Sequence, residues 1–253
     1  MEPFLLANTT WKTLKEQEIE LAVLPWGATE AHNLHLPFST DNIMTEKIAA
    51  ESARAAWERG AKPIVLPLIP YGVNTGQLDI RLNINMNPST QFAILNDVAD
   101  VLNRQGIRKF LILNGHGGND FRQMIRELGA RYSDMFICTC NWYKSFGNSD
   151  FFENSGGHAD EMETSIMMHI APGRILPLEE AGPGEGKKFR IKELNEGWAW
   201  AERKWSRVTS DTGIGNPYLA TAEKGEKCLS HIVEKLGNLI YELSKADIEN
   251  MYE

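Results

Sequence analysis

The sequence predicts an α/β fold with a mostly parallel sheet covered by helices on both faces. Two observations carry that prediction. Apolar runs alternate with helical patterns along the chain, as in consecutive β-α-β units. The apolar runs are also nearly continuous, as strands buried on both faces require.

The elements follow in order. IELAVLPWG (19–27) reads as a buried strand ending at Gly27. NIMTEKIAAESARAAWERG (42–60) reads as a helix stopped by Gly60. KPIVLPLIP (62–70) is a second strand, limited by its prolines. PSTQFAILNDVADVLNRQG (88–106) is a helix with Pro88 in its first turn and Gly106 after its end. KFLILNG (109–115) is a third strand, and Asn119 or Asp120 is placed to cap the helix of DFRQMIRELGARY. MFICTCNW (135–142) is a fourth strand, HADEMETSIMMHI (158–170) a helix, and a last long helix runs from about Pro217 to about Lys245. The segment at about 172–216 breaks the rhythm and crowds Trp198, Trp200 and Trp205 together. Irregular stretches of this length are often functional. Two readings stand: an excursion packed on the core or on a second subunit, and an aromatic lid over a site.

At 253 residues the chain is expected to form a single domain, 1–253, with that excursion inside it. A hydrophobic content of 42% and a charged content of 24% are those of an ordinary globular protein. The net charge of −8 disfavours nucleic acid and anionic membranes as partners. MEPFLLANTTWKTLKEQEIE has neither the basic start nor the long apolar core of a signal peptide. No run approaches the ~18 apolar residues of a membrane span. Cys138, Cys140 and Cys228 are odd in number and lack framework spacing, so a cytoplasmic location is expected. Cys138 and Cys140 read as small strand residues.

Three polar clusters each follow a strand: Glu30, His32, His35 and Asp41; then Asn114-Gly115-His116-Gly117-Gly118-Asn119; then His158 to Ser165. In a parallel sheet the turns after the strands lie on one edge, so these clusters can converge. Converging imidazoles and carboxylates suit zinc, manganese or iron. Glu30 and His32, two apart in an extended segment, project to one side. Asp41 is either a helix cap or a ligand reaching over the same turn. The glycines around His116 let the chain turn sharply and leave the imidazole unobstructed. A phosphate-binding glycine loop is the rival there, but the spacing lacks the last glycine of that pattern. On a helix from residue 158, His158 and Glu161 share a face and Glu163 lies about 140° from His158. Glu161 is therefore placed ahead of Glu163 as a ligand. His35 is a candidate support for a ligand. His169 and His231 lie in apolar helical patterns and read as core or interface residues.

These motifs resemble the creatininase (creatinine amidohydrolase) family. GATEAHNLHLPFSTD is similar to its first motif, LILNGHGGN to its second, GGHADEMETS to its third, and TGIGNPYLATAEKGEK to its C-terminal signature. The resemblance runs in order from residue 27 to residue 226. It implies a three-layer α/β/α domain, a two-metal hydrolase site and a homo-oligomer. Glu30, His32, Asp41 and His116 match the metal ligands, with Asp41 as the bridge, and His158 matches a catalytic or substrate-facing histidine. Creatininase takes another ligand two residues after the second-motif histidine, where this chain has Gly118. Glu161 is expected to take that place. Other departures bear on the substrate: Asn33-Leu34 stands where Gly-Pro is usual, and YGVNTGQLDIRLNINMNPST (71–90) replaces a pattern with His and Pro-Gly.

The chemistry implied is hydrolysis of a small cyclic amide or formamide C–N bond by a water held on two divalent ions, zinc and/or manganese, with iron a third choice. His158 would protonate the leaving nitrogen or stabilise the oxyanion. The alternative is a metal-binding or regulatory member of the same fold with altered catalysis.

Overall fold

Four parallel strands make one sheet in a computed structural model that describes residues 2–154 and 156–253. They are β1 (Leu21–Trp26), β2 (Pro63–Val65), β3 (Lys109–Asn114) and β4 (Phe136–Asn141), in the spatial order β2-β1-β3-β4. A short α1 (Trp11–Leu14) precedes them. Between and after them come α2 (Thr40–Glu58), α3 (Pro88–Arg104), α4 (Arg122–Arg131) and α5 (Glu161–Ile170). The excursion holds only short 3₁₀ turns, α6 (Lys192–Glu196) and α7 (Trp205–Val208), and α8 (Ala222–Lys245) ends the order.

Side chains of a strand alternate between faces, and here each face has its own core. Leu21, Val23, Leu111 and Leu113 point to one side and pack on apolar residues of α2, α5 and α8. Ala22, Leu24, Trp26, Phe110 and Ile112 point to the other and pack on α3 and α4. The result is three layers, α/β/α. Burial on both faces explains why β1 and β3 read as continuous apolar runs.

Register positions the site. Trp26 of β1 pairs with Asn114 of β3, and Asn114 pairs with Asn141 of β4. The three polar clusters therefore leave the sheet from one row at its carboxyl edge. The order of strands turns back between β1 and β3, the place where such sheets bind ligands.

Four expected boundaries shift. The ladder of β2 stops at Val65, before Pro67 and Pro70, although Ile69 still bridges Trp26. The last helix begins at Ala222, where the Thr221 hydroxyl accepts from Lys224 N. Neither Asn119 nor Asp120 occupies the cap of α4: Phe121 does, and Asn119 spends its side chain on Asn114 and Gln91 instead. The third-cluster helix starts at Glu161, not at residue 158, because Asp160 caps it by accepting from Met162 N and Glu163 N. Ala159 before the cap has a left-handed φ of 50°, so His158 stands outside the helix altogether. No helix among the described residues is long and apolar enough to cross a membrane.

Candidate metal centre

The turn after β1 carries Glu30 and His32, and Asp41 follows in the first turn of α2. His116 comes from the turn after β3. That turn is fixed by Asn114, whose amide donates to the His116 carbonyl and to the Asn141 side chain, 2.9 Å each. His158 and Glu163 come from the segment after β4. These six side chains converge. His32 is fully buried and Glu30, Asp41, His116 and His158 nearly so, while the Glu163 side chain is 13% exposed.

Each imidazole gives one nitrogen to a main-chain carbonyl. His32 Nδ1 donates to Glu30 O at 3.0 Å, His116 Nε2 to Val73 O at 3.0 Å, and His158 Nε2 to Ala31 O at 2.8 Å. The other nitrogen of each ring faces carboxylates. His32 Nε2 lies 3.1 Å from Asp41 Oδ1 and 3.9 Å from Glu163 Oε2. His116 Nδ1 lies 3.0 Å from both Asp41 Oδ2 and Glu30 Oε1. His158 Nδ1 lies 3.6 Å from Glu30 Oε1. Ligand-capable atoms come within 4.8 Å of one another in three groups: Glu30 with His32 and His158, Glu30 with Asp41 and His116, and His32 with Asp41 and Glu163.

The electrostatics are those of a site built around a cation. Among the described residues, no Lys or Arg pairs with Glu30, Asp41 or Glu163; their only partners of opposite charge are imidazoles. Burial disfavours the charged ring of His32, yet Asp41 and Glu163 raise its pKa to about 10. Burial opposes charge on His116 as well, yet Glu30 and Asp41 hold its pKa well above the usual range. Burial would raise Glu30 and Asp41, but the facing imidazoles hold both below the ordinary carboxylate range. Burial and the nearby carboxylates leave Glu163 raised, to about 7, despite His32. Burial and the charge of His32 push His158 down, so its ring is neutral. With Nε2 on the Ala31 carbonyl, that neutral ring aims the Nδ1 lone pair toward a carboxylate. Imidazoles pinned by carbonyls, with the free nitrogen turned to carboxylates and no fixed cation among them, fit divalent metal ions.

Of the residues expected from the sequence, Glu30, His32, Asp41, His116 and His158 are in the cluster and Glu161 is not. Glu161 is buried, but its carboxylate takes Lys224 Nζ at 2.5 Å and the Asn154 N–H at 2.8 Å. Glu163 faces His32 in its stead. The helical-face argument fails because His158 is not helical, so the phase between it and the two glutamates is not that of a helix. Gly118, which stands where creatininase has its further ligand, has a reason in space. A Cβ there would stand 2.5 Å from His116 Nε2, against the bond that orients the ring.

The sequence reading missed Gln77. It is buried, its amide donates to Glu30 Oε2, and its own oxygen accepts from Asn83. His35 stands beside the cluster rather than in it. Its Nε2 meets the Thr164 hydroxyl at 2.9 Å, and burial and the charge of His32 lower its pKa to about 4. His169 is exposed rather than buried, and His231 is half-buried against the Phe151 ring at 5.4 Å. Within the excursion, Trp205 sets its ring 4.9 Å from that of His158, whereas Trp198 and Trp200 lie open to solvent. Asn33, at a left-handed φ of 54°, clasps the excursion by exchanging two hydrogen bonds with Gly182, at 3.0 and 2.7 Å.

Comparison with known proteins agrees with this geometry. The family model described as creatininase, creatinine amidohydrolase, matches residues 7–240. A mycofactocin precursor peptide peptidase of Mycobacterium tuberculosis is 25% identical over 226 residues, covering 84% of this chain and 81% of the relative. A 3-dehydro-scyllo-inosose hydrolase of Thermotoga maritima is 25% identical over 258 residues, covering 92% and 81%. The solved structure of a Bacteroides fragilis protein, provisionally called a creatinine amidohydrolase, superposes with a TM-score of 0.94 at 44% identity, covering 100% of both chains. Solved creatininases at 19% identity share the fold, with TM-scores of 0.74 for a zinc form of a mutant and 0.73 for a manganese form; each covers 96% of this chain and 99% of its own. The chain is therefore a member of the creatininase family.

Proposed function

We propose that this protein is a metal-dependent amidohydrolase that cleaves the C–N bond of a small cyclic amide or formamide at the carboxylate–imidazole cluster. The observation that carries the reading is the orientation of the three imidazoles, each pinned by a carbonyl and turned to carboxylates that pair with no Lys or Arg among the described residues. Asp41 presents one oxygen to His32 and the other to His116, which supports two ions with Asp41 shared. Glu30 and His116 would hold one ion, and His32 and Glu163 the other. Divalent ions there, zinc and/or manganese or else iron, would supply Lewis acidity and an activated water.

The chain's own residues do the rest. Gln77 holds Glu30 in place from behind. His158, neutral and anchored through Nε2, keeps Nδ1 free at the edge of the cluster, where it can take a proton and pass it to a leaving nitrogen. Help of this kind is worth roughly 10²–10⁴ in rate. Trp205 against His158 keeps that side of the ring from water. The reading goes with a small-molecule amide as partner, a homo-oligomer and a cytoplasmic location; the net charge of −8 supports the exclusion of nucleic acid.

The test is metal analysis of protein purified without added metal, followed by a screen of lactams, formamides and short peptides. The expected result is bound divalent metal that His116→Ala removes, with turnover of a lactam or formamide. Undiminished metal in His116→Ala would refute the site. A fully loaded protein with no turnover across the panel would favour a regulatory member of the fold.

A further inference from the structure

Beside the metal centre the excursion forms a depression of about 370 Å³ with an unusual wall. Six basic side chains line it: Lys187, Lys188, Arg190, Arg203, Lys204 and Arg207. The chain as a whole is acidic, with a net charge of −8. Glu202 is the acid in the wall, and its carboxylate is taken by the Thr75 hydroxyl. Lys204 pairs with Asp79 at 3.2 Å, and Arg203 lies over the Trp205 ring at 5.1 Å. The other four, Lys187, Lys188, Arg190 and Arg207, make no ion pair among the described residues. Other surface cations find acids beside them on their own helix, as Lys47 finds Glu51 and Arg131 finds Glu127; here four unpaired ones share one concavity.

The depression is built rather than incidental. Its two rims are joined by the Lys187 N–H to the Val208 carbonyl, 2.8 Å. The backbone of Phe189 is held from both sides by the Asn195 side chain, at 3.0 and 2.7 Å. Phe189 and Val208 give it an apolar part. Its size suits a small organic molecule or one end of it.

It also adjoins the site. The Trp205 ring lies 4.9 Å from that of His158, and Arg203 sits 5.1 Å over it. Gly76 packs so closely on the Arg203 carbonyl that a Cβ would not fit, and its neighbour Gln77 holds Glu30. Trp205 therefore neighbours both a residue of the basic wall and a residue of the cluster. Unpaired cations gathered around one concavity repel one another and lower that repulsion by taking up an anion.

We propose that this depression is the subsite for an anionic group on the substrate, so that the amide cleaved at the cluster carries a carboxylate or a phosphate. The proposal rests on the hydrolase reading above. Carboxylate and phosphate share the chemistry the wall offers, charge-assisted hydrogen bonds from Arg and Lys.

The experiment uses the metal-loaded protein and the double variant Arg190→Glu/Arg207→Glu. Formamides and lactams are supplied in three matched forms: free carboxylate, phosphomonoester and neutral ester. The readout is the ratio of kcat/KM for each anionic form to that for the neutral ester. The expected ratio is well above one in the wild type and falls about tenfold or more in the variant, as for lost charge-assisted bonds; the larger ratio identifies the anion. Equal ratios in both proteins would overturn the subsite and leave the hydrolase reading intact. If no form is hydrolysed, the hydrolase reading fails and calorimetry with inorganic phosphate and succinate decides. Binding that the variant loses supports the subsite, and no binding overturns it. A change of molecular mass in the variant without a change in anion binding would assign the wall to contact with a second copy and overturn the proposal.

Discussion

Two carboxylates at the start of α5, two residues apart, end in opposite chemical states. On one side of the turn, burial would raise Glu161, but Lys224 at 2.5 Å holds it below the ordinary range. On the other side, burial and the neighbouring carboxylates raise Glu163 to about 7 despite His32. Burial is common to both, so burial does not mark a metal ligand. The kind of counter-charge does. A Lys is a permanent cation and closes the account of Glu161 within the protein. An imidazole can give up its proton, so the carboxylates that face His32 and His116 remain open to a metal ion.

The largest effects test that division directly. Asp41→Asn and Glu163→Gln should each weaken divalent-metal binding by more than the roughly 10–100-fold that loss of a merely supporting hydrogen bond costs. Asp41→Asn should be the worse, since Asp41 faces both His32 and His116. Glu161→Gln should leave metal affinity unchanged. Chelator competition measures all three, and equal losses for Glu161 and Glu163 would break the comparison.

The next effect falls on stability. Glu161→Gln keeps an oxygen for the Asn154 N–H but loses the charge facing Lys224. It should cost about 1.5–3 kcal/mol, the range for a charged hydrogen bond. Lys224 is 25% exposed and can turn to water, which keeps the loss below that of a fully buried pair. Urea unfolding of the metal-loaded protein gives the number; no change would show that Lys224 does not stabilise Glu161.

The pH profiles of the metal-free variants should then have opposite signs. Glu163 keeps its proton to about 7 in the fold, against an ordinary 4.5. Between those values the native state holds more protons than the unfolded one, so this group's contribution falls as pH rises. Wild type should lose stability relative to Glu163→Gln across that window and level off above it. Glu161 is lowered from 4.5, so its contribution is present above that value and is lost as pH falls through its folded pKa. Wild type should lose its advantage over Glu161→Gln on the acid side. Thermal melts from about pH 2 to about pH 8, with chelator, cover both windows and separate the two; profiles of one sign would contradict the division.

What the sequence made legible was whatever depends on near neighbours. The apolar runs of β1 and β3 are continuous because both faces are covered, and their ends lie in one row because the strands are parallel. Glu30 and His32 project together as their spacing requires. The misplacement of Glu161 came from extending α5 back to residue 158. A local signal was present: Asp160 with Glu163 three residues on has the pattern of a capping box, which sets the helix start. Glu163 does reach back, accepting from the Ala159 N–H at 2.5 Å. Gln77 was not legible, since nothing near it predicts a partner 47 residues away. The same holds for Trp205 and His158, which are brought together by a segment with hardly any regular structure.

The smallest effect concerns the residue between the two sides, Thr164. Its hydroxyl meets His35 Nε2 at 2.9 Å, while His35 Nδ1 has no hydrogen-bond partner among the described residues. Thr164→Val nearly conserves volume but leaves the buried imidazole without that bond. The loss should be about 1 kcal/mol. Thr164→Ser, which keeps the hydroxyl, should recover most of it. Metal affinity should not move in either variant, because His35 presents no atom to the cluster. If Thr164→Val did weaken metal binding, His35 would have to be holding His32 in place through the turn they share. The boundary between the two sides of α5 would then run on the far side of Thr164, and the support of the metal centre would extend one layer deeper than the carboxylates and imidazoles that face it.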